Sequence, residues 1–249
     1  MAGSIRVGIF GCGWLGRPLA KGLQSHYSVY GAVRSLASFS QLQKEKITAF
    51  QMPNQDSEFW NVDTLVIAIS PRHNYLETIK EISKNVNART QQLILLSTTS
   101  VYKDQKTLVN ETSEVDASTI ALQGERLFKN HFLKGIIIRL GGLMGEDRIA
   151  GQWGTPVVKD SLVNYIHQVD AIGIILEVIK QGINDEIINA VAPKHPKRSE
   201  VYKINCEHFG WKLPMFIEGV ERTVCSAKSE LLLGFEYQFK DPKHFWSDS

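Results

Sequence analysis

The stretch Ile5-Arg6-Val7-Gly8-Ile9-Phe10-Gly11-Cys12-Gly13-Trp14-Leu15-Gly16-Arg17-Pro18-Leu19-Ala20 decides how the rest of the chain reads. Residues 5–10 pattern as a strand and run directly into Gly-x-Gly-x-x-Gly, after which the apolar spacing becomes that of a helix. The three glycines serve different ends. Gly11 permits a tight turn, Gly13 lets the backbone approach a pyrophosphate, and Gly16 lets helix and strand pack closely. The amides that open the helix then face the anion. The pattern predicts a dinucleotide-binding turn made of Gly11, Cys12, Gly13, Trp14, Leu15 and Gly16. A glycine loop alone is a weak signal, because such turns arise in many folds. Here strand, loop, helix and second strand follow in the required order.

Working outward, residues 1–140 alternate between β-rich apolar runs and helix-like segments. Strands are expected over 5–10, 28–33, 47–51, 64–69, 92–97 and 135–140, and helices over 14–25, 35–44, 74–85 and 118–132. The runs Leu65-Val66-Ile67-Ala68-Ile69 and Leu93-Ile94-Leu95-Leu96 are apolar throughout, as strands covered on both faces are. In the third helix Leu76, Ile79 and Ile82 share one face. The implied class is α/β, a doubly wound parallel sheet of the Rossmann type. Residues 1–140 read as the dinucleotide-binding core. Residues 141–249 read as elements that complete the fold and add a small substrate lobe. Within them, 141–159 reads as a loop, 161–166 and 187–190 as strands, and 169–181 and 199–209 as helices, with Ser199 as a cap.

The second strand ends in Val33-Arg34-Ser35, where folds that favour NAD place an acid on the ribose hydroxyls. No Asp or Glu follows until Glu45, and the Arg34 guanidinium suits a 2′-phosphate in charge and fork geometry. Arg34 and Ser35 therefore favour NADP over NAD, although Ser35 also suits a helix cap. Ala68, Ile69 and Ser70, closing the fourth strand, are assigned to the same cofactor. Pro71-Arg72-His73 follows at the edge where ligands bind in such sheets, with Arg72 equally suited to a solvated loop.

The bulk numbers exclude other classes. A net charge of +2 with both signs interspersed argues against a nucleic-acid surface, and 43% hydrophobic with 22% charged residues argues against disorder. No apolar run reaches the ~20 residues a spanning helix needs, and the N-terminus carries no signal-type stretch. Cys12, Cys206 and Cys225 have no metal-ligand spacing, so no metal site is expected and a reducing cytoplasm fits; Cys225 reads as a packing residue.

Further along, Ser97-Thr98-Thr99-Ser100-Val101-Tyr102 resembles the strand-end motif of extended short-chain dehydrogenases/reductases, the group that includes sugar-nucleotide epimerases and dehydratases. Arg139-Leu140-Gly141-Gly142-Leu143-Met144-Gly145 resembles that group's segment after the sixth strand. Val163-Asn164-Tyr165-Ile166-His167-Gln168-Val169-Asp170-Ala171 resembles its later segment, and Glu111-Thr112 and Gly124-Glu125 fall where it has comparable residues. The likeness spans most of the chain. It implies that Thr98 hydrogen-bonds the substrate oxygen that is oxidised or reduced, and that His167 and Asp170 are mainly structural. The group's proton chemistry is carried by Tyr-x-x-x-Lys on the next helix. Counting back from Gly124-Glu125 places Ala117 and Ala121 at those positions. Tyr102 to Lys106 is a literal match, but it runs into a polar loop, whereas the pair needs a helical turn to share a face.

The chain therefore reads as an atypical member of that group. It is expected to bind NADP, with NAD possible, and to act on a small polar carbonyl or hydroxyl substrate. Thr98 and Tyr102 are its candidate catalytic residues. The alternative is an NADP-binding sensor or interaction module without turnover. A small-molecule substrate is the expected partner, with neither nucleic acid nor membrane, and no oligomeric state is implied.

Overall fold

The computed structural model describes residues 5–52, 57–72, 74–105 and 107–246. Met1 to Ser4, His73 and Lys106, each part of an expectation above, lie outside the described residues.

In chain order the elements are β1 (Arg6–Phe10), α1 (Gly16–Leu23), β2 (Ser28–Val33), α2 (Leu36–Lys44), β3 (Thr48–Gln51), α3 (Ser57–Trp60), β4 (Thr64–Ile67), α4 (Tyr75–Asn85) and β5 (Gln92–Thr98). A 3-10 turn over Thr99–Val101 precedes β6 (Leu108–Val109), α5 (Ile120–His131), β7 (Ile136–Leu140), β8 (Gly142–Met144), β9 (Val157–Asp160) and β10 (Tyr165–His167). The last elements are α6 (Gln168–Lys180), β11 (Ile187–Ala190), α7 (Arg198–Phe209), β12 (Met215–Glu218), β13 (Thr223–Val224), α8 (Ala227–Leu233) and a 3-10 turn over Pro242–His244.

Seven strands form the central sheet in the order β11-β7-β5-β4-β1-β2-β3. The chain builds outward from β1 to β3, then returns to β4 on the other side of β1, so the strand order reverses between β1 and β4. That reversal marks the crevice where doubly wound sheets bind ligands. Register is parallel, with Val7 opposite both Val29 and Thr64. Leu65, Val66 and Ile67 are fully buried, as a strand covered on both faces requires.

The chain divides into two compact units, each assembled from separated stretches. The first comprises Met1–Ser97, Ala117–Ile138 and Ile175–Ile187. Its core joins Phe59, Leu65, Ile67, Tyr75, Ile79, Ile82, Leu95 and Phe128. The second comprises Thr98–Asp116, Arg139–Ile174 and Ile188–Ser249. It packs Met144, Val163, Tyr165, Val201, Tyr202 and Phe245 together.

Three local expectations change. The strand expected over 161–166 forms only at its end, as β10, after an isolated bridge at Leu162. The stretch 141–159, expected as loop, holds β8 and the start of β9, which pair with β10 and β12. Those partners come later in the chain, so no local periodicity marks them. Ser199 does not cap α7. The cap position is Lys197, whose amide donates to Glu200 Oε2 at 2.8 Å, while the Ser199 hydroxyl and amide both bond the Asp160 carboxylate.

Candidate functional site

In the first unit the glycine loop closes by backbone bonds. The amides of Gly11 and Cys12 donate to the Ala32 carbonyl at 3.0 and 2.9 Å, and the Gly13 amide donates to Gly11 O at 2.7 Å. Gly11 sits at φ +89°, and a Cβ there would lie 2.6 Å from Ala68 O, so a side chain is barred twice over. At Gly16 a Cβ would lie 3.0 Å from Gly11 O and 3.1 Å from Ile9, which is the close helix–strand approach expected of it. Gly13 differs: its nearest neighbour would be 3.9 Å away, so the protein leaves the space beside it open. The cap position of α1 is Leu15, which has no side-chain oxygen to offer the first amides of the helix. An open glycine beside a helix start without a side-chain cap is a cradle that fits a pyrophosphate.

Cys12 is buried, and its thiol is pushed up to about 12, chiefly by burial, with Glu45 adding and Arg17 opposing. It is an inert packing group. Trp14 is half-buried and Leu15 is buried.

Arg34 is exposed at the end of β2. With Phe10, Met52, Trp60 and Ile82 it lines a cavity of about 680 Å³ in this unit. Ser35 caps α2: its hydroxyl accepts from the Ser38 amide at 3.1 Å and donates to Ser38 Oγ at 2.8 Å. Ala68 continues the sheet by donating to Phe10 O at 2.8 Å, Ile69 is buried, and Ser70 is exposed with its carbonyl accepting from the Arg72 amide. Arg72 is exposed.

In the second unit Thr98 ends β5 in extended backbone, and its Oγ1 accepts from the Ser100 amide at 3.2 Å. That bond leaves the hydroxyl proton of Thr98 for another acceptor. Tyr102 is buried, and both faces of its hydroxyl are occupied: it donates to Asn189 Oδ1 at 2.7 Å and accepts from Arg139 Nη1 at 3.0 Å. The guanidinium of Arg139 also lies 5.0 Å from the centre of the Tyr102 ring. Burial raises the Tyr102 phenol above its ordinary range, with Arg139 and Asn189 opposing. The Asn189 amide donates to Glu111 Oε1 at 2.8 Å, and its side chain donates to Cys225 O at 3.3 Å. Asn189 and Arg139 were not singled out by sequence reasoning. Asn189 carries no motif, and Arg139 was only the first letter of a resemblance.

Ala117 precedes α5 and Ala121 is buried on it, so neither place assigned to the usual pair carries a titratable group. Residues 103–105 run as coil, not helix. His167 stacks on Phe239 at 3.7 Å between centroids, and burial pushes its imidazole down to about 4. The Asp170 carboxylate accepts from the amides of Gln238 and Phe239, both at 2.9 Å. These two groups tie the C-terminal segment into the second unit, which is a structural role.

No family model matches the chain. Protein YeeZ of Escherichia coli strain K12 is 28% identical in sequence, and the match covers 95% of this chain and 97% of that protein. Among solved structures, UDP-glucuronic acid 4-epimerase from Bacillus cereus in complex with NAD superposes with a TM-score of 0.77 at 14% identity, covering 96% of this chain and 95% of that one. Human epimerase family protein SDR39U1 with NADPH superposes with a TM-score of 0.75 at 16% identity, covering 98% and 100%. The order of strands, the glycine turn and these superpositions agree: the chain has the Rossmann-type fold of the epimerase/dehydratase-like proteins, the group its strand-end motifs resemble.

Proposed function

We propose that this protein binds a nicotinamide dinucleotide, NADP(H) in preference to NAD(H), and acts as an oxidoreductase or epimerase/dehydratase-like enzyme on a small polar carbonyl or hydroxyl substrate. The carrying observation is the cradle at the end of β1. Gly13 faces open space, α1 starts without a side-chain cap, and Gly11 and Gly16 hold the turn against backbone too close for a Cβ. Two structures that it resembles in fold were solved with NAD and with NADPH, which supports the same cofactor class.

The amides opening α1 would hold the pyrophosphate. Arg34 would pair with the 2′-phosphate, since it is exposed at the end of β2 and lines a cavity that it shares with apolar Phe10, Met52 and Trp60 and with charged Glu77, Glu81 and Lys84. Ser35 contributes its position rather than its hydroxyl, which is already engaged in capping α2. The bound cofactor supplies hydride transfer. Thr98 would orient the substrate oxygen through the proton that its bond with Ser100 leaves unused. Tyr102, fully engaged and raised by burial, would serve by holding the turn that presents Thr98.

A second reading, binding without turnover, is favoured by one observation: alanines stand at both positions of the usual proton-transfer pair. NADPH oxidation across a panel of carbonyl compounds separates the two readings.

The cofactor assignment is tested by titrating NADP and NAD against wild type and Arg34→Ala. Loss of the guanidinium is expected to weaken NADP at least about tenfold, or ~1.4 kcal/mol, and to leave NAD unchanged. Equal wild-type affinities that the substitution leaves alone would sink the assignment.

A further inference from the structure

We propose that Arg222 is a positioning residue for Thr98: its guanidinium latches the chain that leaves the Thr98 turn, and so fixes where the Thr98 hydroxyl meets a substrate oxygen. This rests on the role given to Thr98 above.

Arg222 Nη1 donates to the carbonyl of Tyr102 at 2.7 Å, to the carbonyl of Lys103 at 3.2 Å and to Asp104 Oδ1 at 3.0 Å. The arginine side chain is 15% exposed and that of Asp104 74%, so the ion pair alone holds little. The two carbonyls are the hold, and they belong to the first residues after the 3-10 turn.

Arg222 is itself fixed. Its carbonyl accepts from Asn164 Nδ2 at 3.0 Å, and Asn164 Oδ1 accepts from the Val224 amide at 2.7 Å. The Asn164 carbonyl in turn accepts from the Gly142 amide at 2.8 Å. Beyond Arg222, β13 pairs in parallel with β6, Thr223 opposite Leu108 and Val224 opposite Val109. The Cys225 amide donates to Val109 O at 2.8 Å, and the Cys225 carbonyl accepts from Asn189. Residues 222–225 thus form a strap across the loop that follows the turn. Arg222 joins two of the stretches that carry the family resemblance, at Tyr102 and at Asn164, and the third reaches each of them directly, through Arg139 on Tyr102 and Gly142 on Asn164.

The consequence for Thr98 is mechanical. Tyr102 lies four residues after it, across a single turn closed by the Tyr102 amide on Thr99 O at 3.3 Å and by Thr98 Oγ1 on the Ser100 amide. The Asp116 amide closes the same turn from outside by donating to Val101 O at 2.7 Å. With its carbonyl held by Arg222 and its hydroxyl by Asn189, Tyr102 anchors the far end of that turn at two points. Releasing one allows the turn to rotate, and a displacement near 1 Å at a reacting oxygen costs about 100-fold in rate.

The test uses the full chain as wild type, Arg222→Lys and Arg222→Met, with three readouts: NADPH affinity, amide hydrogen exchange at Tyr102 and Asp116, and NADPH oxidation over the carbonyl panel. In Arg222→Met we expect exchange to rise about tenfold and kcat to fall about 100-fold with the KM for NADPH unchanged. Arg222→Lys, which keeps the charge and one donor direction, should recover part of kcat. Unchanged exchange in Arg222→Met overturns the latch. Faster exchange with kcat intact overturns the positioning role, as does a wild type that binds NADPH yet oxidises it with no carbonyl. A wild type that fails to bind NADPH sinks the cofactor reading instead, and the exchange measurement still decides the latch.

Discussion

The glycine turn at 11–16 and the turn at 98–102 each end a central strand, but they are built in opposite ways. The first is closed by backbone bonds among residues 11, 12, 13 and 32, and what matters most is where side chains are missing. The second is held by side chains from far along the chain: Arg139, 37 residues from Tyr102, Asn189, 87 residues away, and Arg222, 120 residues away. A turn of the first kind tolerates no added atom at Gly11 and little at Gly16, while it leaves the space at Gly13 open. A turn of the second kind depends on polar groups being paired where water cannot replace them.

The largest expected effect comes from adding a methyl group to the first turn. Gly11→Ala places a Cβ 2.6 Å from the Ala68 carbonyl at φ +89°, and a thermal melt should show a loss of about 4 kcal/mol. Gly13→Val is its matched control, since the space there is open. Stability should hold within about 0.5 kcal/mol while NADP titration is lost. If both variants fold and bind alike, the contrast between the glycines is gone.

Next comes the removal of one oxygen from the second turn. Tyr102→Phe takes a bonding partner from Arg139 Nη1 and from Asn189 Oδ1 in a buried site, and denaturant unfolding should register about 3 kcal/mol. A variant that keeps wild-type stability and loses only turnover would mean that the phenol is the acid and not an anchor.

The smallest effect sharpens the comparison by acidity. The second unit carries His167, held down to about 4 by burial against an ordinary value of 6.5. A depressed histidine is neutral when folded and takes a proton on unfolding. Its contribution is complete above pH 6.5 and erodes as the pH falls towards 4, by about 2 kcal/mol between pH 7 and pH 5. Urea midpoints at those two pH values measure it, and His167→Phe should flatten the difference. An unaltered slope in that variant assigns the acid sensitivity elsewhere.

The same contrast explains what was legible beforehand. The parallel sheet, the glycine turn and the edge strand 187–190 announce themselves through local spacing, and the structure places β1 to β5, β7 and β11 where that spacing implies. The strands β8, β9, β12 and β13 are two to four residues long and take their partners from distant segments, so nothing local marks them. Asn189 and Arg222 were silent for a related reason. A lone asparagine inside Ile187–Ala190 and a lone arginine before β13 look like any other polar residue until the chain folds back on itself. Ser199 misled because a serine before an apolar run satisfies the cap rule, and only Asp160, 39 residues earlier, reveals its other use.

The way the two units share the chain sets the order in which the protein can be made. The backbone passes between them after residues 97, 116, 138, 174 and 187, and the edge strand β11 is the last of the seven sheet strands to be synthesised. A ribosome that has released the first 140 residues has delivered the glycine turn but neither β11 nor the strap at 222–225. Neither half can be excised as one continuous fragment, and the nascent sheet keeps an open edge beside β7 until translation has passed residue 190.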